Sequence, residues 1–390
     1  MTRLETLPKR LIVLLAATSA MGPAAMQILL PALPVIAETY KVSNDVAQLT
    51  LSLSMLAIAL GTLCYGPLSD RYGRKPVMLL GLAITLIGSL LCFFADTISL
   101  LIVGRFIQAF GGAVGLVLAR AIVRDVYSAQ ESARVIATLV MVMVVVPMMS
   151  PALGGEMMHQ FGWQSVFLVI AASSVLIGLV LGLSLPETLH SPAAFEGIGA
   201  MLGTFRQLLT SRAYCSYAFC VGFVSVVFFS FIAAAPEIMV NVLDRPATEY
   251  GYYFIMIPLG FIAGNYMVRR LGKRKDADSM IRLGGIIAII GIVLAITLQL
   301  LGFDQPAALF APIALSVFGN GITLPNAQAS AINQFPEFAG SASGLSGFMQ
   351  MSMSAAAAQL VALIFNETVY PLLLLMLLAA LLSFMCRKLR

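Results

Sequence analysis

Long apolar runs separated by short polar breaks pattern this chain from end to end. Read between charged or turn-rich breaks, the runs fall at 11–37, 46–66, 76–96, 99–122, 133–158, 164–185, 213–240, 248–268, 280–302, 306–333, 341–366 and 369–386. Each is close to the roughly 20 residues that an α-helix needs to cross a hydrocarbon core. The expected fold is therefore an all-α membrane protein of twelve transmembrane helices. The first run follows Lys9 and Arg10 and begins like a secretory leader. Its apolar character continues past Gly22 and Pro23 to about Ile36, so it reads as an uncleaved first helix.

The polar breaks carry orientation. Of the 23 basic residues, all but Lys41, Arg105 and Arg245 fall in segments that share one side of the membrane when both termini are cytoplasmic. Cytoplasmic segments collect Lys and Arg, and shifting the count by one helix would invert the bias. The net charge of +5 follows from that topology and needs no nucleic-acid partner.

The longest polar break, Pro186 to Arg212, divides the chain into a six-helix bundle at 1–186, a cytoplasmic linker at 187–212 and a second six-helix bundle at 213–390. From Phe195 to Leu209 apolar residues recur at helical spacing with few charges, as in an amphipathic helix lying on the cytoplasmic membrane face. A repeat supports the division. Gly66-Pro67-Leu68-Ser69-Asp70-Arg71-Tyr72-Gly73-Arg74-Lys75 follows the second run, and Asn265-Tyr266-Met267-Val268-Arg269-Arg270-Leu271-Gly272-Lys273-Arg274 follows the eighth, with the same basic-x-Gly-basic-basic ending. Two pseudo-symmetric parallel halves fit such a repeat.

Composition agrees: 60% of residues are hydrophobic and 11% charged, which leaves too little polar surface to cover a soluble globule. Cys64, Cys92, Cys215, Cys220 and Cys386 are scattered through apolar runs without metal-ligand spacing and read as small buried hydrophobes. The two histidines, His159 and His190, are far apart. With no Ser/His pair or paired aspartates at helix depth, no catalytic residue, metal or cofactor is expected, and the chain is not read as an enzyme.

Charges and breakers inside the runs are the candidate chemistry. Arg105 lies within the fourth run, where an arginine costs about 2.5–3.5 kcal/mol on insertion scales and calls for a partner. Glu156 and Glu237 fall at comparable depth from the same side. Pairing with either would offset desolvation and let proton binding register as a change of charge; a static ion pair or an outward-snorkelling arginine is the plainer alternative. At the end of the second run, Asp70 is expected to face the partially positive N-terminus of another helix, the one starting near Gly340 and Ser341. Arg71 or Arg74 is expected to pair with Asp125. Gly66, Asp70, Arg71, Gly73, Arg74 and Asp125 together form a candidate conformational latch, and Arg269 in place of Asp70 makes the second copy a different one. Pro147 and Pro151 kink the fifth helix, while Gly154 and Gly155 permit close helix approach. Met26, Gln27, Gln108, Phe228, Phe231, Asn320 and Gln350 are candidates to line a pliable substrate cavity.

These motifs carry a family likeness. Gly66-x-Leu68-x-Asp70-Arg71-x-Gly73-Arg74-Lys75 resembles the loop signature of major facilitator transporters. Arg105-x-x-Gln108 with Gly111, Gly112 and Gly115 resembles the helix-four signature of proton-linked members. Pro147, Pro151, Gly154 and Gly155 resemble the antiporter motif of helix five, with Ser150 where glycine is usual. Pro31-Ala32-Leu33-Pro34, Arg124-Asp125-Val126-Tyr127, Phe161-Gly162-Trp163 and Leu185-Pro186-Glu187-Thr188 resemble the bicyclomycin/chloramphenicol-resistance branch of drug:proton antiporters. The resemblance implies a monomeric secondary transporter in a bacterial inner membrane, both termini cytoplasmic. It would export small amphipathic drugs by alternating access in exchange for protons. Export of one endogenous metabolite or siderophore-like compound is the alternative, and a non-transporting membrane sensor a remote one. One departure stands out: members commonly carry an acid in helix one where this chain has Gln27, which argues for neutral or zwitterionic rather than cationic substrates and for a coupling acid placed elsewhere.

Overall fold

Proline placement sets the first element. Pro31 has no N–H to offer the Gln27 carbonyl, and Pro34 has none for Leu30, so a continuous helix cannot run through this stretch. In the computed structural model, which describes residues 8–127, 129–189, 197–246, 249–271, 276–335 and 339–386, α1 (Lys9–Gln27) accordingly ends there. A 3₁₀ turn at Leu30–Ala32 leads into α2 (Leu33–Tyr40), and the two helices make one interrupted crossing.

Then follow α3 (Asn44–Tyr72), α4 (Arg74–Phe93), α5 (Ile98–Val126), α6 (Ala129–Phe161), α7 (Ser165–Ser184), α8 (Gly197–Thr210), α9 (Arg212–Asn241), α10 (Tyr250–Phe254), α11 (Met256–Leu271), α12 (Ala277–Leu300), α13 (Pro306–Asn333), α14 (Ala339–Leu363) and α15 (Tyr370–Met385). Among the described residues nine stretches are long and apolar enough to cross a membrane, with α10 and α11 acting as one. With α6, α14 and the shorter apolar α15 they account for the twelve crossings read from the sequence. Large apolar side chains point outward, as lipid permits and water would not: Leu176, Leu179 and Leu183 of α7 are 64%, 61% and 88% exposed.

The helices pack as two compact units, Met1–Val42 with Leu49–Phe195, and Ser43–Gln48 with Glu196–Arg390. In the first, α4 packs on both α5 and α7, and α1 packs on α5 and α6. In the second, α13 packs on α11 and α12, and α9 on α14 and α15. Lipid supplies no hydrophobic drive between helices, so association depends on close backbone contact through small residues. A Cβ at Gly111 of α5 would meet the Thr85 nitrogen at 2.5 Å and the Gly81 carbonyl at 2.6 Å on α4. In the second unit a Cβ at Gly319 of α13 would meet the Gly284 carbonyl and, at 2.6 Å, the Ala288 nitrogen on α12. The same contact, a glycine against residues i and i+4 of the preceding helix, is thus built twice.

One end of the second unit is tied by hydroxyls. Tyr214 donates to the Ala342 carbonyl (2.7 Å), Ser216 to Cys386 (2.7 Å) and Tyr217 to Asp278 (3.0 Å). The linker helix α8 docks here, burying Leu208 beside Tyr214, Ala342 and Leu345. Phe195, where the amphipathic segment was expected to start, lies outside the described residues, as do Gly272 to Lys275 of the second loop motif.

Candidate functional site

The break between α1 and α2 positions the first cluster. At 100° per residue, Arg105, Gln108, Gly112 and Gly115 share one face of α5, and that face meets α1. A Cβ at Gly112 would touch Gly22 at 3.0 Å, and one at Gly115 would collide with the Thr18 carbonyl. Arg105 is 1% exposed. Its Nη1 donates to the Ala25 carbonyl (3.0 Å), in the last turn before the break, and to Gln108 Oε1 (2.5 Å). Gln108 Nε2 donates in turn to Ser89 of α4 (2.8 Å). Arg105 Nε and Nη2 are buried without a hydrogen-bond partner, a cost above the roughly 1–3 kcal/mol of a neutral unsatisfied group. Met26, Leu29, Leu30, Leu33, Thr50 and Leu51 line a narrow cleft together with Arg105, too small to admit a water molecule. Gln27 is buried too, and its Oε1 also lacks a partner.

Helix α6 braces the break. Pro147, Pro151, Gly154 and Gly155 are all buried, and a Cβ at Gly154 would overlap the Ile28 carbonyl at the end of α1. The structure does not form the expected pair between Arg105 and Glu156. Two residues past Gly154 is about 200° around the helix, so Glu156 turns away from α1; it is exposed and accepts a hydrogen bond from Gln160. Glu237, on α9, is half-buried and accepts from Asn44 Nδ2. Glu156 is therefore not a partner of Arg105, and the ion pairs that join described residues are those of Arg74 with Asp70 and Asp125.

Arg74 organises the second cluster, where α3, α4, α5 and the residues after α7 end together. Its Nη1 donates to Asp70 Oδ1 (2.5 Å) and Ser69 Oγ (2.7 Å), and its Nε to Asp125 Oδ2 (2.9 Å). Of the two arginines expected to reach Asp125, Arg74 is the one with that bond; Arg71 is exposed, its guanidinium 5.2 Å from the Tyr72 ring. Gly73, at φ 98°, makes the turn between α3 and α4. A Cβ there would meet Glu187 Oε2 at 2.5 Å, whereas one at Gly66 would meet nothing within 4 Å. Glu187, which in the sequence stands only within the Leu185-Pro186-Glu187-Thr188 likeness, closes the cluster. Its carboxylate accepts the backbone N–H groups of Arg74 (2.9 Å) and Lys75 (3.1 Å), the orphan donors at the start of α4, and Thr188 donates to Asp125 (3.3 Å). The signal available in the sequence was an acid beside a proline at a helix end, which does not say which helix it caps.

The remaining cavity candidates sit in the second unit. Asn320 is buried and donates to the Val224 carbonyl (3.4 Å), tying α13 to α9. Gln350 accepts from Gln328 Nε2 (3.2 Å), tying α14 to α13. Phe228 is half-buried, edge-to-face with Phe229 at 5.2 Å. Phe231 departs from its expected place on a cavity wall. It is 0% exposed and packs edge-to-face on Phe310 at 5.1 Å, because its face of α9 is turned to α13.

Comparison with known proteins accords with this architecture. The sequence pattern of the Major Facilitator Superfamily matches residues 15–358. The chain is 28% identical over 365 residues to a bicyclomycin resistance protein homolog of Haemophilus influenzae, covering 93% of this chain and 91% of that one. It is 29% identical over 266 residues to the multidrug transporter MdfA of Yersinia pestis, covering 67% and 64%. A peptide transporter solved in complex with alafosfalin shares the fold at a TM-score of 0.76 and 16% identity, covering 97% and 95%. With its helical crossings, its doubled glycine packing and a family match over most of its length, this chain belongs to the Major Facilitator Superfamily and is a multi-pass membrane transporter, not an enzyme.

Proposed function

We propose that this transporter exports small amphipathic compounds, antibiotics among them, across a bacterial inner membrane by alternating access, in exchange for protons. The observation that carries the reading is Arg105, a fully buried charge held at the break of an interrupted helix and braced there by the Gly154 face of α6. Discontinuous helices and intramembrane charges are where secondary transporters place their binding and coupling groups. The two relatives, one named for bicyclomycin resistance and one for multidrug transport, support the substrate class.

In this reading Glu237 carries the proton, since Gln27 cannot titrate and Glu156 faces away from the cluster. Asp70, Arg74, Asp125 and Glu187 join the ends of four helices so that the first bundle moves as a block, with Gly66 and Arg71 presented at its surface. Both termini face the cytoplasm, the working unit is a monomer, and the bundles are 1–186 and 213–390, joined by 187–212.

The test is flux into proteoliposomes with an acidic lumen, using a panel of neutral and anionic amphipathic antibiotics with chloramphenicol as the neutral member. Exchange predicts uptake driven by the gradient and abolished in Arg105→Ala and Glu237→Gln. Uptake indifferent to the gradient would sink proton exchange and leave a facilitator.

A further inference from the structure

The guanidinium of Arg105 is used on one side only. Both of its hydrogen bonds, to the Ala25 carbonyl and to Gln108, leave from Nη1. The Nε and Nη2 groups have no partner, and Arg105 is 1% exposed. Those two N–H bonds lie parallel along one edge of the planar group, the fork that grips both oxygens of a carboxylate at once. The groups that do bond the guanidinium, a backbone carbonyl and a carboxamide, are neutral. The other walls of the cleft are Met26, four leucines and Thr50. The site therefore holds a positive charge, an unused bidentate edge and an apolar lining beside a break in the helix ladder.

We infer that this cleft is an anion subsite, and that the preferred cargo is an amphipathic carboxylate whose two oxygens dock on Nε and Nη2 of Arg105 while its apolar body lies against Met26, Leu29, Leu30 and Leu33. The inference rests on the exporter reading and specifies its substrate class. Arg105 is buried and the cleft beside it admits no water molecule, so binding requires the side chains at the break to part. Met26 and the leucines adjoin a segment where Pro31 and Pro34 have already removed helix hydrogen bonds, so the movement meets less resistance there than in a regular helix.

A matched set of probes with one apolar body separates the possibilities: naphthylacetate, naphthylacetamide and naphthylmethyl-trimethylammonium. Binding to the detergent-purified full chain is measured by titration calorimetry, and gradient-driven flux of each probe in proteoliposomes. The carboxylate is expected to bind at least about tenfold more tightly than the amide, with the cation weakest. Arg105→Gln should erase that preference, and Arg105→Lys should restore only part of it, because an ammonium keeps the charge but not the fork. Thr50→Asp places a carboxylate on the cleft wall, so it should also erase the preference while leaving the arginine in place; this guards against Arg105→Gln failing to fold. Equal affinity for the three probes, or a carboxylate preference that survives Arg105→Gln and Thr50→Asp, overturns the inference. Flux of the amide or the cation without a carboxylate preference overturns it while leaving the exporter reading intact, whereas flux of none of the three overturns both.

Discussion

At the scale of single residues, the two glycines of the loop between α3 and α4 do different work. Gly73 sits at φ 98° and ψ 152°, a conformation open essentially to glycine alone, and its missing Cβ leaves room for the Glu187 carboxylate. Gly73→Ala should therefore destabilise the protein by about 1–3 kcal/mol, read as a lowered melting temperature in detergent. Gly66→Ala, with nothing near the new methyl, should leave the melting temperature unchanged; an equal drop in both would mean that the turn is not the source of the constraint. Glu187→Gln tests the cap on α4. A neutral amide accepts less strongly from the Arg74 and Lys75 N–H groups and loses its attraction to the helix dipole, so about 1 kcal/mol of stability should go. A melting temperature within error of the wild type would show that solvent replaces the cap. Residue identity told much here and geometry the rest. That Arg74 or Arg71 would meet Asp125 was legible, because opposite charges at adjacent helix ends have few other places to go. That Glu187 would close the same cluster was not, since it lies far away in sequence and nothing local ties it to α4. The pairing of Arg105 with Glu156 fails for a related reason: depth along a helix can be counted from a sequence, but the face a side chain takes depends on which neighbour claims the helix.

At the scale of elements, the break between α1 and α2 and the glycines of α6 act as one joint. Pro31 and Pro34 made the break legible, and Pro147, Pro151 and Gly154 marked α6 as bent and closely packed. The sequence could not say that the two features touch. They do, at Gly154 and the Ile28 carbonyl. Any side chain at 154 must push α6 off the break. Gly154→Ala is expected to cost about 1–3 kcal/mol by overpacking, and Gly154→Leu to prevent folding, seen as loss of a monodisperse peak on size-exclusion chromatography. Where Gly154→Ala still folds, its drug flux should fall by more than its stability does, because the displaced carbonyl lies in the turn following Ala25, which holds Arg105. Wild-type flux in Gly154→Ala would separate the antiporter-like motif from the arginine. The doubled α4–α5 and α12–α13 contacts make a related point. The internal repeat was visible in the sequence as a loop motif, yet the copy kept most faithfully is a packing contact. Close helix approach restricts each position to glycine or something nearly as small, whereas a charged loop tolerates the change from Asp70 to Arg269.

At the scale of the whole molecule, the twelve crossings follow from apolar length, and the expected orientation rests on where the basic residues fall. Both arguments rest on solvation: hydrocarbon rejects unpaired backbone groups, and cytoplasmic loops collect Lys and Arg. The same rule yields a sidedness prediction that owes nothing to any relative. Tyr72, 58% exposed at the end of α3, begins a basic turn. Asn366, in the turn between α14 and α15, neighbours Glu367 and no basic residue. With the N-terminus cytoplasmic, α3 ends inside and α14 ends outside. In a background where the five native cysteines are replaced, a membrane-impermeant maleimide applied to intact cells should therefore label Asn366→Cys and spare Tyr72→Cys, and disrupting the membrane should make both reactive. The reverse pattern would put the basic loops outside and the Arg74 cluster on the wrong side for a cytoplasmic latch. Labelling of both in intact cells would mean that one of the two turns is not separated from the other by an odd number of crossings, so the helix count itself would have to change. Because a single missing or extra crossing between residues 72 and 366 exchanges the expected result at one site only, this pair of cysteines tests number and orientation together.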